Sequence, residues 1–163
     1  MPAPTWLDLP ADHPFGLQTL PYGVFSTAAD ERRRVGVRIG ELVLDASAAA
    51  LSTGYAAGSA WSAPTLNAFL AQGATAWAAG RRWLVEVLSD PSYRGVIERH
   101  LHPLDEVTLH LPVEVGDYVD YYASAHHASN VGQIFRPDSP ALPVNWKHLP
   151  IGYHGRSGTV VVS

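Results

Sequence analysis

The sequence contains no cysteine and a single methionine, and only 16% of its 163 residues are charged. The absence of cysteine excludes a disulfide framework and a thiolate metal site. The chain has no run of about 18 consecutive apolar residues, and its opening segment lacks the basic and apolar stretches of a signal peptide. These absences predict a cytoplasmic protein that does not cross a membrane.

The net charge, the composition and the length indicate the class of partner, the extent of the core and the number of domains. The formal net charge is −4 at pH 7, which argues against nucleic acid as the main partner. Apolar residues make up 47% of the chain, enough for a folded core that covers about two thirds of the unfolded surface. The length predicts one domain, or one domain plus a piece of another.

A β-hairpin is the clearest local signal. Every second side chain of residues 34–39 is apolar, which predicts a strand with one buried face and with Arg34 and Arg38 in solvent. Gly40 suits the positive φ of a tight turn, and residues 42–44 are typical of the returning strand.

Two helices are predicted in the middle of the chain. The first covers residues 66–72, with Thr65 as its N-cap and Gly73 as its end. The second covers residues 74–88 and presents four side chains inward: Trp77, Leu84, Val85 and Leu88. Residues 46–60 are rich in Ala, Ser and Gly, which predicts a surface connection.

Strand signals continue after these helices. Alternation predicts a strand at residues 107–111, and Pro112 interrupts it and marks a domain boundary. A further extended segment is predicted at residues 115–122. The β-branched run at residues 159–162 is typical of a strand whose partner follows, so the chain is expected to continue in a longer protein.

An acid and two phenols share the predicted extended segment. Tyr118, Asp120 and Tyr122 alternate and so point to one face of it. Such a face can hold a hard divalent cation and hydrogen-bond an oxyanion, and an ordinary polar strand face is the alternative. A single carboxylate cannot complete such a site, because these cations take about six or more oxygens.

Two neighbouring histidines follow. Side chains of adjacent residues point apart, so His126 and His127 are poor joint zinc ligands. Imidazole titrates near neutral pH and can serve as a general base, but the residues alone favour a surface or packing role.

Several motifs occur in a fixed order and spacing. They are LPYGVFST at residues 20–27, DYVDYY at 117–122, HASNVG at 127–132, FR at 135–136 and PVNWKHLPIGYHGR at 143–156. Together they resemble the fumarylacetoacetase family from near residue 18 to the end of the chain. The family's chain is more than twice as long, so the resemblance implies an N-terminal portion.

The resemblance implies a fold, an activity and an assembly. The expected fold is mainly β with some α: an SH3-like barrel domain in residues 1–112, then the incomplete start of a β-rich catalytic domain in residues 113–163. The expected activity is metal-dependent hydrolysis of the carbon–carbon bond of fumarylacetoacetate to fumarate and acetoacetate, in tyrosine and phenylalanine breakdown. The full-length protein is expected to be a homodimer, and this chain is expected to be inactive alone.

The resemblance also implies roles for five residues. Asp120 matches a ligand of Ca²⁺ or Mg²⁺, and His127 matches the catalytic histidine. Tyr122, Arg136 and Tyr153 match residues that contact the substrate. Two alternatives remain: a non-catalytic association or regulatory module, and a separate chain that supplies the missing metal ligands.

Overall fold

A computed structural model describes residues 5–10, 12–154 and 160–162. Contacts divide the chain into two compact units, the first reaching Glu114 and also including Val161 and Val162, the second comprising residues 115–160. The domain boundary expected near Pro112 stays a prediction, as does the identity of the two parts as a barrel domain and a catalytic domain. No helix in the described ranges is both long and apolar enough to cross a membrane.

The first unit is built on a five-stranded antiparallel sheet. Its strands are β1 (Tyr22–Thr27), β2 (Asp30–Ile39), β3 (Leu42–Asp45), β4 (Leu101–Pro103) and β5 (Val107–His110), in the order β4-β3-β2-β1-β5. The predicted hairpin is confirmed as β2 and β3, with Val37 opposite Leu44. Gly40 makes its turn with φ 58°, a left-handed conformation that favours glycine.

The sheet is open, so the expectation of a barrel is not confirmed. A barrel requires the last strand to pair with the first, whereas the described pairings end at β4 on one side and β5 on the other. These edge strands have only three and four residues, which leaves few backbone groups for a closing ladder. Nor is the fold mainly β, because more of the described residues lie in α-helices than in strands.

Four α-helices lie in the part of the first unit that the structure describes: α1 (Ala46–Thr53), α2 (Asn67–Leu70), α3 (Gly73–Ser89) and α4 (Arg94–Ile97). Short 3₁₀ segments occur at Ala56–Ser62, Pro91–Tyr93, Glu98–His100 and Leu104–Glu106. The helix predicted at residues 74–88 is confirmed by α3, which begins at Gly73. The helix predicted at residues 66–72 is shorter, and Leu66 rather than Thr65 occupies its N-cap position.

The expectation of a surface connection at residues 46–60 is wrong, because helix α1 begins there at Ala46. The side chain of Asp45 caps this helix by accepting a hydrogen bond from the Ala48 N–H at 2.9 Å. Ala46, Ala49 and Ala50 are buried. Alanine has the highest helix propensity, and its small side chain permits close packing, so the composition that suggested a loop instead forms a helix with one buried face.

Aromatic side chains form part of the core of the first unit. The Tyr55 and Trp83 rings stack with centroids 4.7 Å apart, and Trp61 lies 5.4 Å from Trp83. Trp83 is buried, whereas Trp77, which was expected to point inward, is 42% exposed. The inward face of α3 is therefore rotated from the predicted one and consists of Gly80, Trp83, Leu84, Val87 and Leu88.

Arg34 does not lie in solvent as the strand pattern predicted. Its Nε donates a hydrogen bond to Asp45 Oδ2 at 2.5 Å, and the arginine and aspartate side chains are only 11% and 6% exposed. The guanidinium also lies over the Phe25 ring, 4.4 Å from its centroid. This sheet face is therefore packed rather than solvated around Arg34, whereas Arg32 on the same face is exposed.

The described residues of the second unit contain one α-helix and a two-stranded ladder. Helix α5 spans Ala125–Phe135, strand β6 spans Asp120–Tyr121, and strand β7 spans Gly152–Tyr153, with a 3₁₀ turn at Val144–Lys147. Only two residues of the predicted extended segment at 115–122 are therefore in a strand. Of the strand expected at residues 159–162, residue 159 lies outside the described residues, and Val160, Val161 and Val162 are not in a strand.

We expect Asp45→Ala to lower the free energy of unfolding of the first unit by about 3 kcal/mol, because the buried Arg34 would lose its nearest carboxylate and α1 would lose its cap. The matched control is Glu98→Ala, which removes the partner of Arg94 in a pair whose two side chains are both more than half exposed, and it should cost under about 1 kcal/mol. Urea unfolding followed by tryptophan fluorescence measures both. Equal losses in the two variants would contradict this account.

The stability of the first unit should also depend on pH. Burial lowers the pKa of His100 and of His110, and nearby Arg33 lowers that of His110 further. As the pH falls through about 6.5, the unfolded chain takes up protons first, so the free energy of unfolding decreases and levels off below the folded-state pKa values.

We therefore expect a His100→Gln/His110→Gln double variant to lose less stability than the wild type between about pH 7.5 and about pH 5. Urea unfolding at the two pH values provides the measurement. A double variant with the wild-type pH dependence would show that these two histidines are not responsible.

Candidate active site

The two short strands of the second unit bring Asp120 and Tyr153 together. These residues are directly opposite in the β6–β7 ladder. The Tyr153 hydroxyl donates a hydrogen bond to Asp120 Oδ2 at 2.8 Å. A carboxylate and a phenol separated by 33 residues in the sequence thus form one polar pair, and strand pairing is what aligns them.

Tyr122 continues this ladder beyond β6. Its backbone N–H donates to the Ile151 carbonyl at 2.9 Å, so the alternation of an extended chain places Tyr122 on the same face as Asp120. Tyr118 does not extend the ladder as predicted: its N–H donates to Asp117 Oδ1 at 2.8 Å. The predicted three-residue face is therefore reduced to Asp120 and Tyr122.

His127 lies in the first turn of α5. The Ser124 hydroxyl caps this helix and accepts a hydrogen bond from the His127 N–H at 3.3 Å. The imidazole ring meets the Tyr122 ring edge to face, with centroids 5.8 Å apart and planes at 78°. His127 is exposed, so water can reach its ring.

Arg136 is placed apart from His127. It follows the last residue of α5, and nine residues at about 1.5 Å per residue put its backbone roughly 13 Å along the helix from that of His127. Its N–H donates to the Gly132 carbonyl at 2.8 Å, and its side chain is exposed. Within this unit, the five candidate residues therefore form two contacting pairs plus one arginine at the far end of the helix.

His154 lies against residues that precede β6. Its Nδ1 is 3.2 Å from Asp117 Oδ1 and also contacts the Tyr118 carbonyl oxygen. Because both neighbours are acceptors, Nδ1 is the nitrogen that carries the proton. His154 thus connects the beginning and the end of this unit. Arg156, which belongs to the same motif, lies outside the described residues.

A Ca²⁺ or Mg²⁺ site was expected around Asp120. The described ranges contain no group of three histidine, aspartate or glutamate side chains arranged to hold an ion. Asp120 supplies one suitable oxygen donor, whereas Ca²⁺ and Mg²⁺ take about six or more. The described residues therefore do not by themselves form the expected cation site.

The sequence interpretation missed α5 and the residues that hold it. Trp146 donates its indole N–H to the Tyr122 carbonyl at 2.7 Å, and Gly132 packs directly against Ala141. Ser124 before an apolar-periodic segment was an available N-cap signal for the helix. Nothing local in the sequence indicated that Trp146 would reach Tyr122, 24 residues earlier.

We expect Gly132→Ala to disrupt the packing of α5 in the second unit. A β-carbon at Gly132 would lie 1.9 Å from the Ala141 carbonyl oxygen, so backbone must move at a cost of about 2 kcal/mol or more. Gly116→Ala is the matched control, because its β-carbon would meet nothing within 4 Å. Amide NMR spectra measure the effect, and wild-type spectra for Gly132→Ala would contradict the described packing.

Comparison with known proteins gives consistent matches. A family model described as Fumarylacetoacetase N-terminal matches residues 18–112. The fumarylacetoacetase of Caenorhabditis elegans is 42% identical over 168 aligned residues, covering 98% of this chain and 40% of the relative. The Homo sapiens fumarylacetoacetase is 42% identical with the same two coverages, and that of Bos taurus is 43% identical over 93% of this chain and 38% of the relative.

The family model and the alignments with whole relatives cover different lengths of the chain. The family model ends before the candidate site residues, whereas the alignments with whole relatives extend over 98% of the chain in two of the three cases. The chain spans about 40% of the length of these curated relatives. On the family-model match and these identities, the chain belongs to the fumarylacetoacetase family, of which it represents the N-terminal portion.

Proposed function

We propose that the second unit contributes part of the active site of a hydrolase that cleaves fumarylacetoacetate into fumarate and acetoacetate, a step of tyrosine and phenylalanine breakdown. The names of the relatives support this substrate. The observation that carries the proposal is the arrangement of four candidate side chains as two contacting pairs, Asp120 with Tyr153 and Tyr122 with His127.

The proposed reaction assigns proton transfer to His127. Its imidazole takes a proton from water, and the resulting hydroxide oxygen adds to the ketone carbon that becomes the carboxylate of fumarate. The adjacent carbon–carbon bond then breaks, and its electron pair leaves with the acetoacetate fragment, which is protonated at that carbon. The exposed ring at the beginning of α5 supports this role, because water and substrate can approach it.

The remaining residues are proposed to bind and orient the substrate. Arg136 offers a planar guanidinium that can bind a carboxylate through two hydrogen bonds. Tyr122 and Tyr153 are proposed to contact the diketo acid through their rings, because their hydroxyl hydrogens are donated to the Ala128 carbonyl and to Asp120 Oδ2. Loss of such a binding group is expected to raise KM more than it lowers kcat.

Asp120 is proposed as one carboxylate ligand of a Ca²⁺ or Mg²⁺ ion. Such an ion, when bound, supplies positive charge to diketone oxygens. The Tyr153 hydroxyl orients the carboxylate from the opposite strand. The other ligands must come from residues outside the described ranges or from another chain, and we propose that the 163 residues alone are inactive. The full-length protein is proposed to be a cytoplasmic homodimer, with an SH3-like domain ahead of its catalytic domain.

The proposal can be tested by joining this chain to the part of the Caenorhabditis elegans fumarylacetoacetase that lies beyond its matched region. Loss of diketone absorbance in the presence of Mg²⁺ or Ca²⁺ reports hydrolysis. We expect turnover, and we expect His127→Ala to lower kcat about 10²- to 10⁴-fold, the usual contribution of a general base. Exposed His148, which has no assigned role, provides the matched control His148→Ala, expected to keep kcat within a few fold.

Three results would count against the proposal. Equal kcat values for the joined protein and its His127→Ala variant would remove the role of His127. Hydrolysis by the 163-residue chain alone, lost in His127→Ala, would show that no outside ligands are needed. A joined protein that folds and binds no diketo acid would instead favour the alternative of an association or regulatory module.

A further inference from the structure

We propose that Trp146 is a positioning residue of the active site, which acts by holding Tyr122 against the His127 ring. This inference rests on the proposed role of His127 and adds a residue to it. It also means that Tyr122 restrains α5 in the absence of substrate, because its ring and its hydroxyl both contact the beginning of this helix.

Tyr122 is held at three separate points. Its backbone N–H donates to the Ile151 carbonyl at 2.9 Å, and its backbone carbonyl accepts the Trp146 indole N–H at 2.7 Å. Its hydroxyl donates to the Ala128 carbonyl at 3.1 Å. These contacts come from three different segments, so both the backbone and the ring of Tyr122 are restrained.

The hydroxyl contact restrains the helix that carries His127. Ala128 is the next residue after His127 and is fully buried in α5. A hydrogen bond from Tyr122 to its carbonyl therefore fixes the distance between the tyrosine and the first turn of the helix. The edge-to-face contact between the Tyr122 and His127 rings follows from that distance.

Trp146 is suited to such a positioning role. Its indole is rigid, half-buried and donates a single hydrogen bond in a fixed direction. It lies in the 3₁₀ turn Val144–Lys147, whose Trp146 N–H donates to the Pro143 carbonyl at 3.0 Å. A phenylalanine could fill the same space without donating, so the indole N–H is the part of the side chain that the proposal needs.

The test is NMR spectroscopy of the 163-residue chain with assigned histidine and tyrosine rings. The wild type should show a nuclear Overhauser effect between the Tyr122 and His127 rings. We expect Trp146→Phe to weaken or abolish it and to shift the His127 ring signals. Tyr122→Phe, which keeps the ring and removes only the hydroxyl, should shift the same signals.

Two controls make the same chemical changes elsewhere. Trp77→Phe removes an indole N–H that donates to the Phe69 carbonyl at 3.0 Å in the first unit. Tyr121→Phe removes a hydroxyl from the neighbouring tyrosine, whose side chain is 60% exposed. Both controls should leave the ring contact and the His127 signals at their wild-type values.

The outcomes distinguish a positioning role of Trp146 from a role in the stability of the second unit and from the proposed hydrolysis. Unchanged His127 signals and an unchanged ring contact in a folded Trp146→Phe variant, or the absence of the ring contact in the wild type, would overturn the proposal. If Trp146→Phe unfolds the second unit, the Trp146 indole N–H of the wild type decides: slow hydrogen exchange supports its bond to the Tyr122 carbonyl, and exchange at the rate of a free indole overturns it. Because the readout needs no substrate, a failure of the proposed hydrolysis would appear only in the turnover assay.

Discussion

A buried carboxylate ties the sheet of the first unit to its first helix. Asp45 ends β3, accepts the hydrogen bond that begins α1 with one oxygen, and accepts the Arg34 Nε with the other. Because both side chains are almost excluded from water, the Asp45 charge depends on Arg34 for compensation, and Asp45 is the nearer of the two carboxylates beside Arg34. This constraint explains why α1 follows the strand without a connecting loop and why an arginine can occupy the inner part of a sheet face.

The second unit uses neutral groups for a similar purpose. Ser124 caps α5, Tyr122 reaches the Ala128 carbonyl, and Gly132 allows the Ala141 backbone to approach the helix closely. His127, which is assigned to proton transfer, is exposed. The residues that hold its helix in place need not touch the substrate themselves. A candidate site of this kind depends as much on side-chain hydrogen bonds to the backbone as on the reacting groups, since those bonds set where the reacting groups point.

Local patterns predicted some elements well and others poorly, for identifiable reasons. The β2–β3 hairpin followed from alternation around Gly40, and α3 followed from helical spacing. Helix α1 was missed because its alanines resemble a flexible connection until Asp45 and the burial of Ala49 are known. The motifs selected the five candidate residues of the proposed site, but not which of them are in contact, since strand pairing brings Asp120 and Tyr153 together across 33 residues.

The sequence by itself determined the family, the hairpin and the long helix, because ordered motifs and short-range periodicity do not depend on distant residues. Only the tertiary structure decided that the sheet stays open, that Trp83 rather than Trp77 is buried, and that Arg34 is paired inside. It alone also placed Trp146 on Tyr122. The physical reason is that periodicity predicts which side chains share a face, whereas the element that covers that face comes from elsewhere in the chain.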